Sequence, residues 1–174
     1  AAGPLEPIDE ELLAAIRGGF DTVGALVERQ RFKAGIGEVM RLVGLANAYV
    51  SATEPFKLKG DDQRERLGTV LHVLAQAVVD LATLSAPFLP HGANRIHRIM
   101  GGEGDLVPMP ELREVADLDD GRAYPVIMGD YSSTPRWASR PVVPGTSIGP
   151  PTPVFTKFDP SVVDEEIARM RADG

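Results

Sequence analysis

The feature that most constrains how this chain can fold is a long stretch of helical periodicity between Asp62 and Pro87. Apolar residues recur there at helical spacing, at Leu67, Val70, Leu71, Leu74, Val78, Leu81 and Leu84. This spacing gathers them on one side of an α-helix, in a stripe wide enough to pack against more than one neighbour. Asp62 and Glu65 have the spacing of a capping box, so we expect the helix to begin at Asp62 and to end before Pro87. The stretch therefore predicts one helix of a bundle.

Three further helices are predicted in the first part of the chain, over residues 9–28, over about residues 31–53, and from Pro90 to the Gly101–Gly102 pair. The first two carry apolar stripes of the same period, and glycine is a common stop for the third. Asp9 falls in the first turn of the first helix, where an acid favours the positive end of the helix dipole. We therefore expect an all-α fold, with an antiparallel helical bundle over residues 1–102.

The character of the chain changes after residue 102. Ten of its 15 prolines lie between Pro108 and Pro160, so residues 103–160 are predicted to be extended and irregular. Short strands are expected around Pro125–Met128 and Pro153–Phe158. A last helix is predicted over residues 161–174, with the Ser161 hydroxyl as its cap. The irregular segment carries Val126, Ile127, Tyr131, Trp137, Val154 and Phe155. We expect these side chains to lie partly along the bundle and partly exposed, for contact with another domain.

Composition limits the classes of function. The formal net charge of −7 argues against a protein that binds nucleic acid through its phosphates alone, but not against one that reads a few bases by stacking. The 174 residues include no cysteine, which excludes disulfides and thiolate metal sites. No apolar run approaches the roughly 20 residues that cross a bilayer, so no membrane span is expected. The opening AAGPLEPIDEE has no secretory pattern, and a cytoplasmic location is predicted.

Catalytic and metal-binding patterns are not found in the sequence. Ser85, Ser132 and Ser133 lie in no nucleophile-elbow context, and no glycine-rich phosphate loop follows a strand. The three histidines, His72, His91 and His97, lack the spacing of a helical zinc pair. Acidic pairs such as Asp61–Asp62, Asp119–Asp120 and Glu165–Glu166 fit helix starts, turns and solvated surface. We expect no catalytic residue, no metal and no cofactor on this chain.

The stretch ANAYVSATEPFKLKGDD, residues 46–62, is harder to explain by folding alone. Its helical pattern stops at Pro55, and Phe56 follows directly, beside Lys57 and Lys59. In one interpretation Phe56 folds back as a lid on the bundle, because aromatic side chains are usually buried. In the other it is a stacking platform for an unstacked base, with the lysines near the phosphates. Two interpretations also remain for Trp137: a surface stacker, or an anchor that holds the irregular segment on an apolar surface.

Three motifs resemble one known family. RFKAGIGEVMRLVGLANAYVSATEPFKL, residues 31–58, looks like the signature of the anticodon-binding helical domain of methionyl-tRNA synthetases. In that signature a helix ending in Ala-Asn-x-Tyr-Val or Ile is followed by a proline and an aromatic residue. LATLSAPFLPHGANRIHRIMGG, residues 81–102, resembles the next helix of the family, and PTPVFTKFD, residues 151–159, its closing pattern. The resemblance covers about residues 5–170 in order.

The resemblance implies that the chain recognises the CAU anticodon of initiator and elongator methionine tRNA. It assigns anticodon contacts to Phe56, Pro55, Lys57 and Asn47. It also implies that ATP and methionine bind a catalytic domain absent from this chain, that this domain is a partner of the chain, and that the parent is a monomer with no membrane partner. The chain looks like the C-terminal part of such a synthetase.

Two departures from the family pattern matter. Phe56 stands where the family usually has tryptophan, and the family's other base readers, an asparagine and an arginine, would sit on a helix before residue 1. The H-I-G-H and K-M-S-K-S motifs of the catalytic domain are also absent from the sequence. Two alternatives stay open: the related domain of an isoleucine, valine or cysteine enzyme, and a helical-bundle module that binds proteins and no RNA.

Overall fold

The computed structural model describes residues 3–117, 121–129 and 136–172. It is mostly helical, with α1 over Pro7–Glu28, α2 over Phe32–Thr53, α3 over Arg64–Ser85, α4 over Pro90–Ile99 and α5 over Ser161–Ala172. Two strands, β1 over Glu111–Ala116 and β2 over Ala123–Met128, pair as an antiparallel hairpin. The helices predicted for the first part of the chain are therefore present, with bounds that differ from the prediction by a few residues.

The core forms where α1, α2 and α3 pack on one another, and α4 packs against α3. The buried residues of the core are Leu12, Ile16, Phe20 and Val23 from α1, Val39, Leu42 and Tyr49 from α2, and Val70, Val73, Ala77 and Leu84 from α3. Most of these side chains are completely shielded from water. Tyr49 is the polar exception in this set, and its hydroxyl has a buried partner described below. The stripe predicted for α3 was only partly right, because Val73 and Ala77 lie outside it while its Leu71 and Val78 are exposed.

The predicted start of α3 is wrong. Asp61–Gln63 forms a single 3₁₀ turn, and the α-helix begins only at Arg64. Gln63 occupies the cap position without a side-chain hydrogen bond to the helix, and Asp62 lies inside the 3₁₀ turn. The turn closes through the Gln63 N–H, which donates to the Gly60 carbonyl at 3.0 Å. Since this backbone hydrogen bond satisfies a donor at the helix entrance, a side-chain cap from Asp62 is not needed there.

The predicted strands are half right. A strand does cover Pro125–Met128, but it begins at Ala123 and pairs with β1, which was not predicted. Residues 153–158 are all described and form no strand. The Arg95 side chain instead donates to the carbonyls of Pro153 and Val154, at 3.2 Å each. Because proline has no N–H and these carbonyls already accept hydrogen bonds, few backbone groups of the segment remain to pair with a neighbouring strand.

The last helix begins at Ser161, but Ser161 is its first residue rather than its cap. The Ser161 N–H donates to the Asp159 carboxylate at 2.9 Å, so the capping acceptor lies two residues earlier than expected. The predicted helix also included residues 173–174, which lie outside the described residues, as do Tyr131, Ser132, Ser133 and Asp119–Asp120.

Residues 136–149, which we call the strap, lie along the bundle. The Trp137 indole N–H donates to the Phe20 carbonyl at 2.9 Å, and the two rings meet edge to face with centroids 5.6 Å apart. The Gln76 amide donates to the Arg140 carbonyl at 2.8 Å and accepts from the Val142 N–H at 2.9 Å. The interpretation of Trp137 as an anchor is therefore confirmed.

The apolar side chains of the irregular segment are not uniformly buried. Ile127 on the hairpin is 69% exposed and Phe155 is 63% exposed. Partial exposure of this kind is what the sequence predicted, while contact with another domain stays a prediction.

One stretch contradicts the expectation that no segment is long and apolar enough to cross a bilayer. Asp61–Ser85 is long and apolar enough to cross a bilayer by length and composition alone. Half of the apolar part of this stretch is buried inside the protein, and the core helix of a bundle passes the same test. It is weak evidence for a membrane span, but the sequence argument from apolar runs was too strong.

Candidate nucleic-acid interface

The end of α2 is built by Glu54 and Pro55. Proline disfavours the right-handed helical conformation in the residue before it, and Glu54 adopts the left-handed one, with φ 41° and ψ 56°. The Glu54 N–H still donates to the Val50 carbonyl at 3.0 Å, which closes the last turn of the helix. Pro55 then opens a 3₁₀ turn over Pro55–Lys57, in which the Lys57 N–H donates to the Glu54 carbonyl at 2.8 Å. The chain therefore changes direction at a fixed point.

Phe56 occupies the middle of this turn and is 63% exposed. A ring that served as a lid on the bundle would be mostly buried, so the structure disfavours that interpretation. The turn that carries it, Pro55–Lys57, contains no buried residue, and neither does the next turn, Asp61–Gln63. Phe56 is thus an apolar face presented to solvent on a short, hydrogen-bonded turn.

Lys57 is not an isolated cation. Its ammonium group lies 2.7 Å from the Glu54 carboxylate, and both side chains are well exposed. An exposed pair of this kind contributes at most about 1 kcal/mol and is weakened by salt, so a phosphate can compete for the lysine. Lys59 is also exposed on the same connection.

Asn47 is the fourth residue predicted to touch RNA. It lies on an exposed position of α2, and its backbone carbonyl accepts a hydrogen bond from the Ser51 hydroxyl at 3.1 Å. The seven residues from Asn47 to Glu54 span roughly 10 Å along the helix axis. The structure therefore brings Pro55, Phe56 and Lys57 together in one turn, and places Asn47 about two helical turns away.

A buried polar cluster formed by Asp9, Tyr49 and Arg66 was not predicted from the sequence. The Asp9 carboxylate accepts a hydrogen bond from the Tyr49 hydroxyl at 2.6 Å and two from the Arg66 guanidinium, at 2.5 and 2.9 Å. Asp9 was predicted only to be an acid of the first helical turn that favours the helix dipole, and the structure shows that it is also completely buried. One signal was available, because a tyrosine in the apolar stripe of a helix usually needs a partner for its hydroxyl.

The pKa values of this cluster reflect its hydrogen bonds. Burial opposes ionisation of Asp9, but the hydrogen bonds from Arg66, Tyr49 and the Glu6 N–H, with the positive charge of Arg66, lower its pKa to about 2. Burial and the hydrogen bond to the Asp9 carboxylate both raise the pKa of Tyr49. At neutral pH the cluster therefore contains a charged carboxylate, a charged guanidinium and a neutral phenol.

The groups exposed around Phe56 are of the types that can contact a nucleic acid. Within residues 3–117, 121–129 and 136–172, no group of three or more acidic or histidine side chains could hold a metal ion. An exposed aromatic face, nearby lysines and an exposed amide are the groups that bind unstacked bases, phosphates and base edges.

Comparison with known proteins gives a consistent result. The chain is 55% identical to a methionine–tRNA ligase of Kineococcus radiotolerans, over 98% of this chain and 29% of that protein. It is 53% identical to one of a Nocardioides species, over 98% of this chain and 28% of that protein. No family model matches the chain.

A solved structure agrees in fold. The free form of Mycobacterium tuberculosis methionyl-tRNA synthetase superposes with a TM-score of 0.68 over 92% of this chain and 28% of that one. The sequence identity in this superposition is 22%, so it shows the fold alone. The high identity to the curated relatives carries the assignment. The chain belongs to the methionine–tRNA ligase family, and it spans less than a third of the length of the curated relatives it matches.

Proposed function

We propose that this chain is the anticodon-recognition part of an ATP-dependent methionine–tRNA ligase used in protein synthesis. The observation that carries the proposal is the exposed ring of Phe56, held out on a proline-initiated turn at the end of α2. An unstacked base of the CAU anticodon stacks on this ring. Stacking of a base on an aromatic side chain contributes about 1–3 kcal/mol.

The groups around Phe56 supply the rest of the contact. Lys57 exchanges the Glu54 carboxylate for a backbone phosphate, which gives a salt-dependent contribution. Pro55 limits the freedom of the turn, and the Asn47 amide offers both a donor and an acceptor to the RNA. The formal net charge of −7 is compatible with this role, because stacking does not require a strongly basic surface.

The reaction belongs to another part of the ligase. In this proposal ATP and methionine bind a catalytic domain in the same polypeptide, and the helices form the antiparallel anticodon-binding bundle of that enzyme class. Initiator and elongator methionine tRNA are the partners, the parent is a monomer, and it works in the cytoplasm.

The experiment compares four proteins: wild type, Phe56→Ala, Phe56→Trp and Phe32→Ala. Phe32 is a matched control, since it is 54% exposed and lies at the opposite end of the same helix. Affinity is measured for an anticodon stem-loop carrying CAU and for one carrying GAU, together with a thermal melt of each variant. We expect Phe56→Ala to weaken CAU binding about 5- to 150-fold. Phe56→Trp should hold or improve it, and Phe32→Ala should leave it unchanged.

The melts separate recognition from folding. Truncating a fully buried phenylalanine costs about 3–5 kcal/mol, and with most of the ring exposed we expect about 1 kcal/mol for Phe56→Ala. If Phe56→Ala lowered the melting temperature strongly and left binding by the folded protein intact, Phe56 would be a core residue. Preference for GAU would point to a related enzyme of another specificity, and no binding of either hairpin at low salt would point to a protein-interaction module.

A further inference from the structure

The residues that flank the Phe56 turn are fastened to one carboxylate. The connection from α2 to α3, residues 54–63, carries Phe56 and contains both 3₁₀ turns. Tyr49 lies in the last turns of α2 before it, and Arg66 lies in the first turn of α3 after it. Both side chains bond to Asp9 near the start of α1, so one residue of a third helix ties the two ends of the connection together.

The hydrogen bonds of Asp9 are complete. One carboxylate oxygen accepts from the Tyr49 hydroxyl and from Arg66, and the other accepts from Arg66 and from the Glu6 N–H at 2.8 Å. Four donors fill the roughly four acceptor positions of a carboxylate. A carboxylate oxygen of a second acid, Glu6, lies 3.2 Å from Nε of the Arg66 guanidinium. Asp9 is completely buried with all its acceptor positions filled, so the network around it fixes the positions of the Tyr49 and Arg66 side chains.

The connection itself offers Phe56 little other support. Neither of its 3₁₀ turns contributes a buried residue, so no core packing of the turns fixes the ring. The turn is closed by its own backbone hydrogen bonds and contacts α3, so its orientation depends on how the ends of α2 and α3 are held relative to each other. A binding group held in its productive orientation before the ligand arrives loses less freedom on binding.

We propose that Asp9, Tyr49 and Arg66 are positioning residues for anticodon recognition, and that they act by holding the ends of the 54–63 connection so that Phe56 meets the base face to face. The proposal rests on the proposed function of Phe56. A buried ion pair is weak grounds for a purely stabilising role, because desolvation offsets much of its attraction.

The test uses the full-length ligase that contains this chain. Tyr49→Phe removes the hydroxyl that bonds to Asp9 and keeps the buried ring. We expect the KM for methionine tRNA in aminoacylation to rise about 3- to 20-fold, a part of the full stacking contribution. The rate of methionine-dependent ATP–pyrophosphate exchange, which needs no tRNA, should stay at the wild-type level. Arg66→Lys keeps the charge but loses the two-point hydrogen bond to Asp9. If Tyr49→Phe folds poorly, Arg66→Lys should likewise raise the KM for tRNA and leave the exchange rate unchanged.

Val23→Ala is the matched structural control. Val23 is fully buried in the same helix as Asp9, 14 residues further on, which is roughly 21 Å along the axis. Its truncation destabilises the core without touching the cluster, so it should lower the melting temperature and leave the KM for tRNA unchanged. An equal rise in KM for Val23→Ala and Tyr49→Phe would show that the cluster only stabilises the bundle, and would overturn the proposal.

A double-mutant cycle decides whether the cluster acts through Phe56. In a Phe56→Ala background we expect Tyr49→Phe to have almost no further effect on the KM for tRNA. A full additional effect in that background would overturn the positioning role while leaving Phe56 as the contact. If Phe56→Ala alone left the KM unchanged, the proposed function of Phe56 would fail first, and the positioning role would fall with it.

Discussion

Replacing Asp9 by asparagine is the most informative perturbation of the fold, because its effect should depend on pH in a defined direction. The substitution keeps the shape of the side chain and removes its charge. Arg66 then keeps only Glu6 as an acidic partner, at 3.2 Å. The amide NH2 of the new side chain replaces an oxygen that accepts two hydrogen bonds, so both of its hydrogen atoms face donors.

The size of the effect follows from the pKa of the carboxyl. The pKa of Asp9 is about 2 in the folded chain against an ordinary value of 3.8, so the folded state favours the charged form by about 2 kcal/mol at neutral pH. The unfolded chain binds the proton more readily, and this contribution is therefore present above about pH 4 and is lost as the pH falls towards 2. Breaking a buried pair costs about 3–5 kcal/mol, and since Arg66 is partly exposed we expect about 2–4 kcal/mol for Asp9→Asn at pH 7.

The assay is urea unfolding followed by circular dichroism, for wild type and Asp9→Asn, at several pH values between 7 and 2.5. The difference in the free energy of unfolding between the two proteins should be constant from pH 7 to about pH 5 and then shrink by about 2 kcal/mol. Taking the difference removes the titration of the other acids, which both proteins share.

Glu38→Gln is the control for the loss of any paired acid. Glu38 bonds to Arg41 at 2.7 Å on the surface, where solvent screens the pair and its contribution to stability is small. A difference between wild type and Asp9→Asn that stayed the same from pH 6 to pH 2.5 would refute the reasoning, since Asp9 would then have an ordinary pKa in the folded chain.

Outcomes are also expected for four further substitutions. Gly19→Ala should destabilise the chain by about 1–3 kcal/mol in urea unfolding, because the added methyl carbon would lie 2.5 Å from a core leucine. Gly18→Ala, whose methyl group meets nothing within 4 Å, should instead be neutral or stabilise the helix by up to about 1 kcal/mol. Glu54→Gln should release Lys57 and strengthen binding of the anticodon stem-loop a few-fold at low salt, with the gain lost at about 0.5 M salt. Gln76→Ala removes three hydrogen bonds that hold the strap and should speed tryptic cleavage after Arg136 roughly tenfold, whereas an unchanged rate would show that these bonds do not hold it.

Local patterns predicted the helices well and their capping poorly. The apolar stripe from Leu67 to Leu84 predicted α3, because the apolar residues of a core helix recur along the sequence with the period of the helix. Its start was wrong because the Gln63 N–H bonds to the Gly60 carbonyl and closes a backbone turn, whereas a capping Asp62 would have accepted from an N–H further along the chain. The spacing of Asp62 and Glu65 could not tell these apart.

Contacts between residues that are far apart in the chain could not be predicted from the sequence. Phe56 could be named from its position after Pro55, but its exposure depends on how α2 and α3 pack. The bond between Asp9 and Tyr49 joins residues 40 positions apart, and the bonds between Asp9 and Arg66 join residues 57 apart. In the sequence Asp9 has the pattern of an ordinary acid at a helix start, and only the bundle makes it a buried one. For the same reason β2 was foreseen from its own residues while its partner β1 was not.

The attachment of Trp137 to the bundle gives the protein a built-in optical reporter. The chain contains one tryptophan, and its indole lies between the strap and α1, bonded to the Phe20 carbonyl. Its emission spectrum therefore reports on that single junction, while circular dichroism reports on all the helices together. A shift of the emission to longer wavelength at a lower urea concentration than the loss of helix would show that the strap detaches first, as a separate event, from a bundle that is still folded.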